Sequence, residues 1–168
     1  MPINVDTLRS AAQKGRPVTA RNINEAVSRG IKTAFLCHSH KDAELAKGLE
    51  RLLNDAGWTL YIDWDDASMP EVTNRETAQK IQQNILNAEY FLFLATANSM
   101  ASKWCPWEIG YADGKKPIDR ILMVPTINGL TTHGNEYLQL YKKVDYASTG
   151  ELATWRLGDK TGTLLKNL

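Results

Sequence analysis

The side chains most able to do chemistry gather around one glutamate. Glu108 stands four residues after Trp104 and one after Trp107, in the segment Ser102-Lys103-Trp104-Cys105-Pro106-Trp107-Glu108. Pro106 suits the first turn of a helix, because it lacks an N–H that would find no partner there. Two readings of the carboxylate stand side by side. In a first turn, a glutamate interacts favourably with the helix macrodipole and bonds back to a free N–H, which makes it a structural cap. Set between two large rings at a helix start, it is also a candidate for stabilising charge on a ligand that those rings would grip. One carboxylate suffices for one kind of glycosidic cleavage. Ordinary sugars need a second carboxyl to protonate the departing oxygen, whereas nicotinamide leaves NAD from a cationic ring nitrogen and needs no proton. What remains is to stabilise an oxocarbenium-like ribose and to hold its hydroxyls.

Further polar candidates lie in His38-Ser39-His40-Lys41-Asp42, Asp63-Trp64-Asp65-Asp66 and Ala95-Thr96-Ala97-Asn98-Ser99. Ser39, Thr96, Asn98 and Ser99 offer hydroxyl and backbone donors for a pyrophosphate. Trp64 and Trp104 stand beside loops, where a ring stacks on adenine or nicotinamide or fills a protein interface, while Trp58 and Trp155 read as packing. His38 and His40 have the spacing of a metal-binding pair. The third histidine, His133, lies elsewhere and no cysteine or glutamate cluster completes a shell, so no metal site is expected. Neither GxGxxG nor GxxxxGK[ST] occurs, which removes two common phosphate cradles. Twenty Lys and Arg against nineteen Asp and Glu give a formal net charge of +1, too small a surplus to neutralise a run of phosphates. Nucleic acid is therefore not an expected partner.

The apolar pattern supplies elements to position these groups. With 168 residues, 43% of them hydrophobic, the chain is long enough for one well-filled core. Strand-like runs occupy 33–37, 58–62, 90–94 and 121–124, the last closed by Pro125. A fifth strand is expected over 143–146, an extra one over 154–157, and a final helical turn over 163–168. Asp42 caps a segment in which Leu45, Ala46, Leu49, Leu52, Leu53 and Ala56 keep helical spacing until Gly57. Thr73-Asn74-Arg75-Glu76 matches a capping box ahead of Ala78, Ile81, Ile85 and Ala88. Gly114 ends the helix that carries Trp107, Ile109 and Ala112. Strands alternating with helices imply βαβ units and a parallel sheet covered on both faces. Ligands of such sheets bind beyond the carboxyl ends of the strands, near the switch in strand order, and the polar segments fall at those ends. Residues 1–30 read as a helical appendage, with Asp6 capping 8–14 and a second piece over 22–29, and the main domain spans 31–168.

At these residues the sequence resembles a TIR domain of the bacterial type. Phe35-Leu36-Cys37-His38-Ser39-His40-Lys41-Asp42 is similar to the family's first-strand motif, residues 58–70 to its second strand and the BB loop after it, and residues 102–111 to the motif around the family's catalytic glutamate, with its Trp-x-x-x-Glu spacing. The likeness covers 31–126. It implies a flavodoxin-like, doubly wound α/β fold with five strands and flanking helices, and cleavage of the nicotinamide-ribose bond of NAD to ADP-ribose or a cyclic isomer. On that likeness Glu108 is the catalytic carboxylate, and Trp104 helps fold the adenine back for cyclisation. His38, Ser39, Trp64, Asp65, Ser99 and Trp107 join Trp104 as candidate substrate-binding residues. NAD is then a substrate and no cofactor is implied. The family likeness further implies self-association, in which the BB loop of one copy completes the site of the next. It also implies a role in antiphage defence, where a separate effector senses the nucleotide product. Cys37 stands where the family usually has serine, a change expected to touch only packing. The BB loop lacks the Arg-Asp-x-x-Pro-Gly of animal receptor TIRs. A silent TIR-binding module and a ribosyl transferase acting on another nucleotide are the competing readings.

The N-terminal residues have neither the basic stretch nor the apolar block of a signal peptide. No apolar run approaches the ~20 residues that span a bilayer. The two cysteines, Cys37 and Cys105, form no CxxC pair. A cytoplasmic protein without a membrane partner is the expectation.

Overall fold

Side-chain alternation along the strands decides which helices each residue meets. The computed structural model describes residues 1–15, 23–62, 74–137 and 139–168. Its elements begin with β1 (Ile3–Asn4), α1 (Val5–Ala12), α2 (Ile23–Ser28), β2 (Lys32–Cys37), α3 (Ala43–Asp55) and β3 (Trp58–Tyr61). They continue with α4 (Arg75–Asn87), β4 (Tyr90–Ala95), α5 (Ala97–Met100), α6 (Trp104–Asp113) and β5 (Ile121–Asn128), and close with β6 (Thr131–His133), β7 (Lys142–Tyr146), β8 (Leu152–Trp155) and β9 (Thr163–Leu164). The sheet runs β3-β2-β4-β5-β7-β8-β9. Pairing is parallel from β3 through β7 and antiparallel from β7 to β9.

Because successive strand residues point to opposite faces, each central strand feeds two cores. Ala34 and Leu36 of β2, Leu92 and Leu94 of β4, and Leu122 and Val124 of β5 pack with Leu8 of α1 and with Leu45, Leu49 and Leu53 of α3. Phe35 and Cys37, Phe91 and Phe93, and Ile121 and Met123 pack on the other face, with Ile81 and Ile85 of α4 and with Cys105, Ile109 and Ala112 of α6. The near-continuous apolar runs of these strands follow from burial on both sides.

The expected α/β, doubly wound, flavodoxin-like arrangement is present, and the sheet carries more than the five expected strands. Pro125 does not close β5. It pairs opposite Ala95, the last residue of β4, and beyond it the strand leaves that neighbour. Residues 126–128 instead pair with the parallel β1 and the antiparallel β6, and a proline is tolerated at this changeover because its missing N–H costs least where pairing changes. The C-terminal stretch expected as one helical turn splits into β9 and a short 3-10 turn, Leu165–Asn167. The helix start read as Thr73 to Glu76 is capped one residue later. Asn74 accepts from the Thr77 N–H at 3.0 Å, the Asn74 N–H donates to Thr77 Oγ1, and Glu76 is left to pair with Lys80. Likewise α1 is capped by Asn4, which accepts from the Asp6 N–H at 2.8 Å.

The first fifteen residues share the main core. Ile3 and Leu8 are fully buried, and α1 lies so close on α3 that a Cβ on Gly48 would sit 1.9 Å from the Leu8 carbonyl oxygen. Trp58 closes the far side, its indole N–H donating to the Leu165 carbonyl at 3.0 Å. Among the described residues, no helix is long and apolar enough to cross a membrane.

Candidate active site

The chain leaves β2 outward to β3 and returns to the other side of β2 as β4, so the switch in strand order falls between β2 and β4. A crevice at such a switch is where open α/β sheets take ligands. One buried carboxylate bridges it. Asp42 ends a 3-10 turn (His40–Asp42) after β2, and its two oxygens accept from Thr96 Oγ1 at 2.5 Å and from Asn98 Nδ2 at 2.7 Å, both in the segment after β4. That segment is tied internally by a capping box. The Thr96 N–H donates to Ser99 Oγ at 2.8 Å, and the Ser99 N–H donates to Thr96 Oγ1 at 3.0 Å. Asp42 stands at the start of α3 as its sequence position suggested, but its carboxylate makes no capping bond there. It joins two loops instead, a pairing that the spacing of 54 residues between Asp42 and Thr96 does not announce.

The polar residues named from sequence occupy this rim in different ways. Ser99 is fully buried, and its hydroxyl donates to the Leu94 carbonyl at 2.7 Å, so it organises the loop from within. Ser39 is half-buried, and its oxygen caps the 3-10 turn through the Lys41 N–H. His38 is buried with Nδ1 3.0 Å from the Leu36 carbonyl oxygen. A carbonyl only accepts, so that nitrogen carries a proton. The His38 and His40 rings lie 6.1 Å apart. Among the described residues no group of three His, Cys, Asp or Glu is placed to hold a metal. Trp64 and Asp65 lie outside the described residues.

Glu108 does not sit where a cap must. Helix α6 begins at Trp104, two residues before Pro106, which makes Glu108 its fifth residue and leaves no acidic side chain in the first turn. Ser102 serves the helix start instead, accepting from the Trp104 and Cys105 N–H groups at 3.1 and 3.4 Å. Glu108 is only 6% exposed and shares the inner face of α6 with Cys105, Ile109 and Ala112. The buried Cys37 thiol at the end of β2 is pushed well above its ordinary range, by burial above all, with Cys105 and then Glu108 adding to it.

The outer face of the same helix is aromatic. The Trp104 and Trp107 rings meet edge to face, 5.2 Å apart at 86°, and Trp107 stacks along Tyr111 at 6.1 Å. Trp104 is partly buried against the core, while Trp107 is 36% exposed. The helix therefore carries its carboxylate inward, with Trp104 packed partly against the same core and Trp107 more exposed, near the carboxyl ends of β2 and β4. Chemically, such a site can place a fixed negative charge beside a developing cation and offer flat surfaces to a heterocycle. The sequence singled out Glu108, Trp104 and Trp107, which the structure places on one helix. It did not reveal Asp42 as the loop clamp or Cys37 as the glutamate's neighbour, because both depend on contacts between distant segments.

The sequence pattern of the TIR domain matches residues 34–154. A Bacillus cereus (strain MSX-D12) protein named probable 3' cyclic ADP-D-ribose synthase ThsB' is 32% identical over 119 residues, covering 68% of this chain and 61% of that protein. A Cytobacillus dafuensis protein named putative cyclic ADP-D-ribose synthase TIR2 is 25% identical over 92 residues, covering 53% of this chain and 24% of that protein. The match thus spans less than two thirds of either relative.

Proposed function

The chain belongs to the TIR domain family, and from that premise we propose that it cleaves the bond between nicotinamide and ribose in NAD and closes the remainder into a cyclic ADP-ribose. The observation that carries this reading is Glu108: a carboxylate held on the inner face of α6, beside the switch point, with no capping task to explain it. The names of the two relatives, both cyclic ADP-ribose synthases, support the product class.

In this mechanism the C–N bond breaks and its electron pair leaves with nicotinamide, which becomes neutral as its ring nitrogen loses the positive charge. The anomeric carbon of the ribose is left cationic, and the Glu108 carboxylate stabilises it through space and grips the ribose hydroxyls. A nucleophilic atom of the same molecule then attacks that carbon and closes the ring. Water at the same position gives linear ADP-ribose. Trp104 holds the adenine end folded back, favouring closure over water. His38 and Ser39, at the end of β2, line the crevice on the ribose and phosphate side, and Trp107 flanks the glutamate. Ser99 contributes through the shape of its loop. Trp64 and Asp65 are further candidate substrate contacts. The product serves as a signal that a separate effector senses in antiphage defence, and the domain works in the cytoplasm as a self-associated assembly.

The test is incubation of concentrated protein with NAD and mass spectrometry of the products, alongside Glu108→Gln. Loss of the carboxylate charge is expected to lower turnover by about 10²–10³-fold, the scale of removing a main electrostatic stabiliser, with the circular dichroism spectrum unchanged. Equal turnover in both proteins would remove Glu108 from the mechanism. A wild type that binds other TIR domains yet never consumes NAD at any concentration would favour the silent interaction module.

A further inference from the structure

The segment after β4 spends its hydroxyl protons inside the protein. Thr96 Oγ1 donates to Asp42 Oδ2 at 2.5 Å and accepts from the Ser99 N–H at 3.0 Å, while Ser99 Oγ donates to the Leu94 carbonyl at 2.7 Å. A hydroxyl has one proton, so neither is left to donate to a pyrophosphate, the use that the residue types suggest. Asn98 differs. It is half-buried, and its Nδ2 donates to Asp42 Oδ1 at 2.7 Å. A carboxylate only accepts, which decides the orientation of the amide: the nitrogen faces Asp42, and the carbonyl oxygen, Oδ1, takes the other arm. Among the described residues no donor reaches that Oδ1. The clamp also carries charge. Asp42 is 5% exposed, and no lysine or arginine among the described residues forms an ion pair with it, so one net negative charge stays at the rim.

We propose that Asn98 is a specificity-determining residue for the leaving group: its Oδ1 accepts an N–H of the nicotinamide carboxamide. The proposal rests on the reading of the chain as an NAD-cleaving enzyme. An acceptor beside a fixed negative charge does not suit phosphate oxygens, which are anionic acceptors themselves. It suits a donor, and NAD has three kinds: the carboxamide, the adenine amine and the ribose hydroxyls. The carboxamide is carried on a ring that is cationic until the bond breaks, so there the Asp42 charge adds to the hydrogen bond. As that ring becomes neutral the attraction fades, while the hydrogen bond persists from bound substrate to transition state. The contact therefore selects the substrate and lowers KM, and it does little for the rate of bond breaking.

Two substrate analogues separate the donors. Acetylpyridine adenine dinucleotide keeps the ring and carbonyl of NAD and puts a methyl group where the amide nitrogen stands. Wild type is expected to prefer NAD over it by about tenfold in kcat/KM, the scale of one net hydrogen bond. Asn98→Ala is expected to narrow that preference to within about twofold by raising KM for NAD, with kcat within about threefold of wild type. A wild type indifferent to the exchange overturns the proposal without any variant, and so does a preference that survives in Asn98→Ala. Nicotinamide hypoxanthine dinucleotide, which lacks the adenine amine, is expected to stand in the same ratio to NAD in both proteins. A ratio that collapses in Asn98→Ala places Oδ1 at the adenine and overturns the assignment. Ligand-observed NMR titration of the full chain with nicotinamide and with acetylpyridine reads the contact without turnover. Wild type is expected to bind nicotinamide about tenfold more tightly; equal binding, or binding of neither, overturns the proposal. If wild type consumes no NAD, the catalytic reading falls on its own, and the titration still decides the role of Asn98.

Discussion

Asp42 and Trp104 are the two single residues whose replacement separates scaffold from chemistry. Asp42 accepts from Thr96 and Asn98 across the switch point, so Asp42→Ala strands the buried Thr96 hydroxyl and the half-buried Asn98 amide. That loss is expected to destabilise the fold by about 1–3 kcal/mol, measured by urea unfolding. The exchange Asp42→Asn with Asn98→Asp puts the carboxylate on the other loop and is expected to recover part of the loss, which a mere deletion of charge would not. Trp104→Ala probes the other side of the distinction. On the proposed mechanism it shifts products from cyclic toward linear ADP-ribose with total NAD consumption less affected, as read by mass spectrometry. An unchanged product ratio would take Trp104 out of the cyclisation step. Both residues were visible as residue types in the sequence, but only Trp104 was visible in its setting. Four-residue spacing on one helix is a local fact, whereas the Asp42 clamp needs two loops that meet only after β2 and β4 pair.

At the scale of elements, the contact between α1 and α3 is the most exacting. Gly48 lets the Leu8 backbone approach to a distance that no side chain tolerates, so Gly48→Ala is expected to push α1 off the core and destabilise the protein by about 1–3 kcal/mol or more, seen as a lower thermal midpoint. The end of α6 is tied to the segment before β7 by the Tyr141 hydroxyl, which donates to Asp113 at 3.0 Å. Burial, with that bond adding to it, pushes the Tyr141 phenol up to about 12. A group raised in this way stabilises the fold fully below its unfolded value of ~10 and loses that contribution as pH climbs through the folded value. Unfolding free energy measured across pH 10 to 12 is therefore expected to fall in wild type and to fall less in Tyr141→Phe. The strands that reach this layer were legible because they are buried on both faces and read as unbroken apolar runs. The antiparallel edge was less so: Leu152, Ala153 and Thr154 of β8 are buried, yet the neighbouring turns break the pattern. Pro125 misled for a physical reason, since a proline ends most strands but is accepted where one neighbour is exchanged for another. The two-residue β1 is too short to show any period, and only its pairing with Thr126 and Ile127 defines it.

The whole molecule gives the proposed self-association its test. A site that needs a second copy turns over faster per protein molecule as concentration rises, so specific activity is expected to climb with protein concentration and to track the onset of larger species in light scattering. Activity independent of concentration over the same range would assign the complete site to one copy. The net charge of +1 opposes such assembly only weakly. The seal of Trp58 by Leu165 has another consequence. These partners are 107 residues apart, and β1 likewise waits for Thr126 before it has a strand to join. Contacts between such distant positions form late and slowly, because much chain must be ordered before any of them is made. During translation the polypeptide emerges from its N-terminus, so an unfinished copy on the ribosome has an open core and an unbraced rim. On the proposed function, cleavage of NAD is thereby withheld from a nascent chain until the residues around Leu165 have emerged and sealed Trp58.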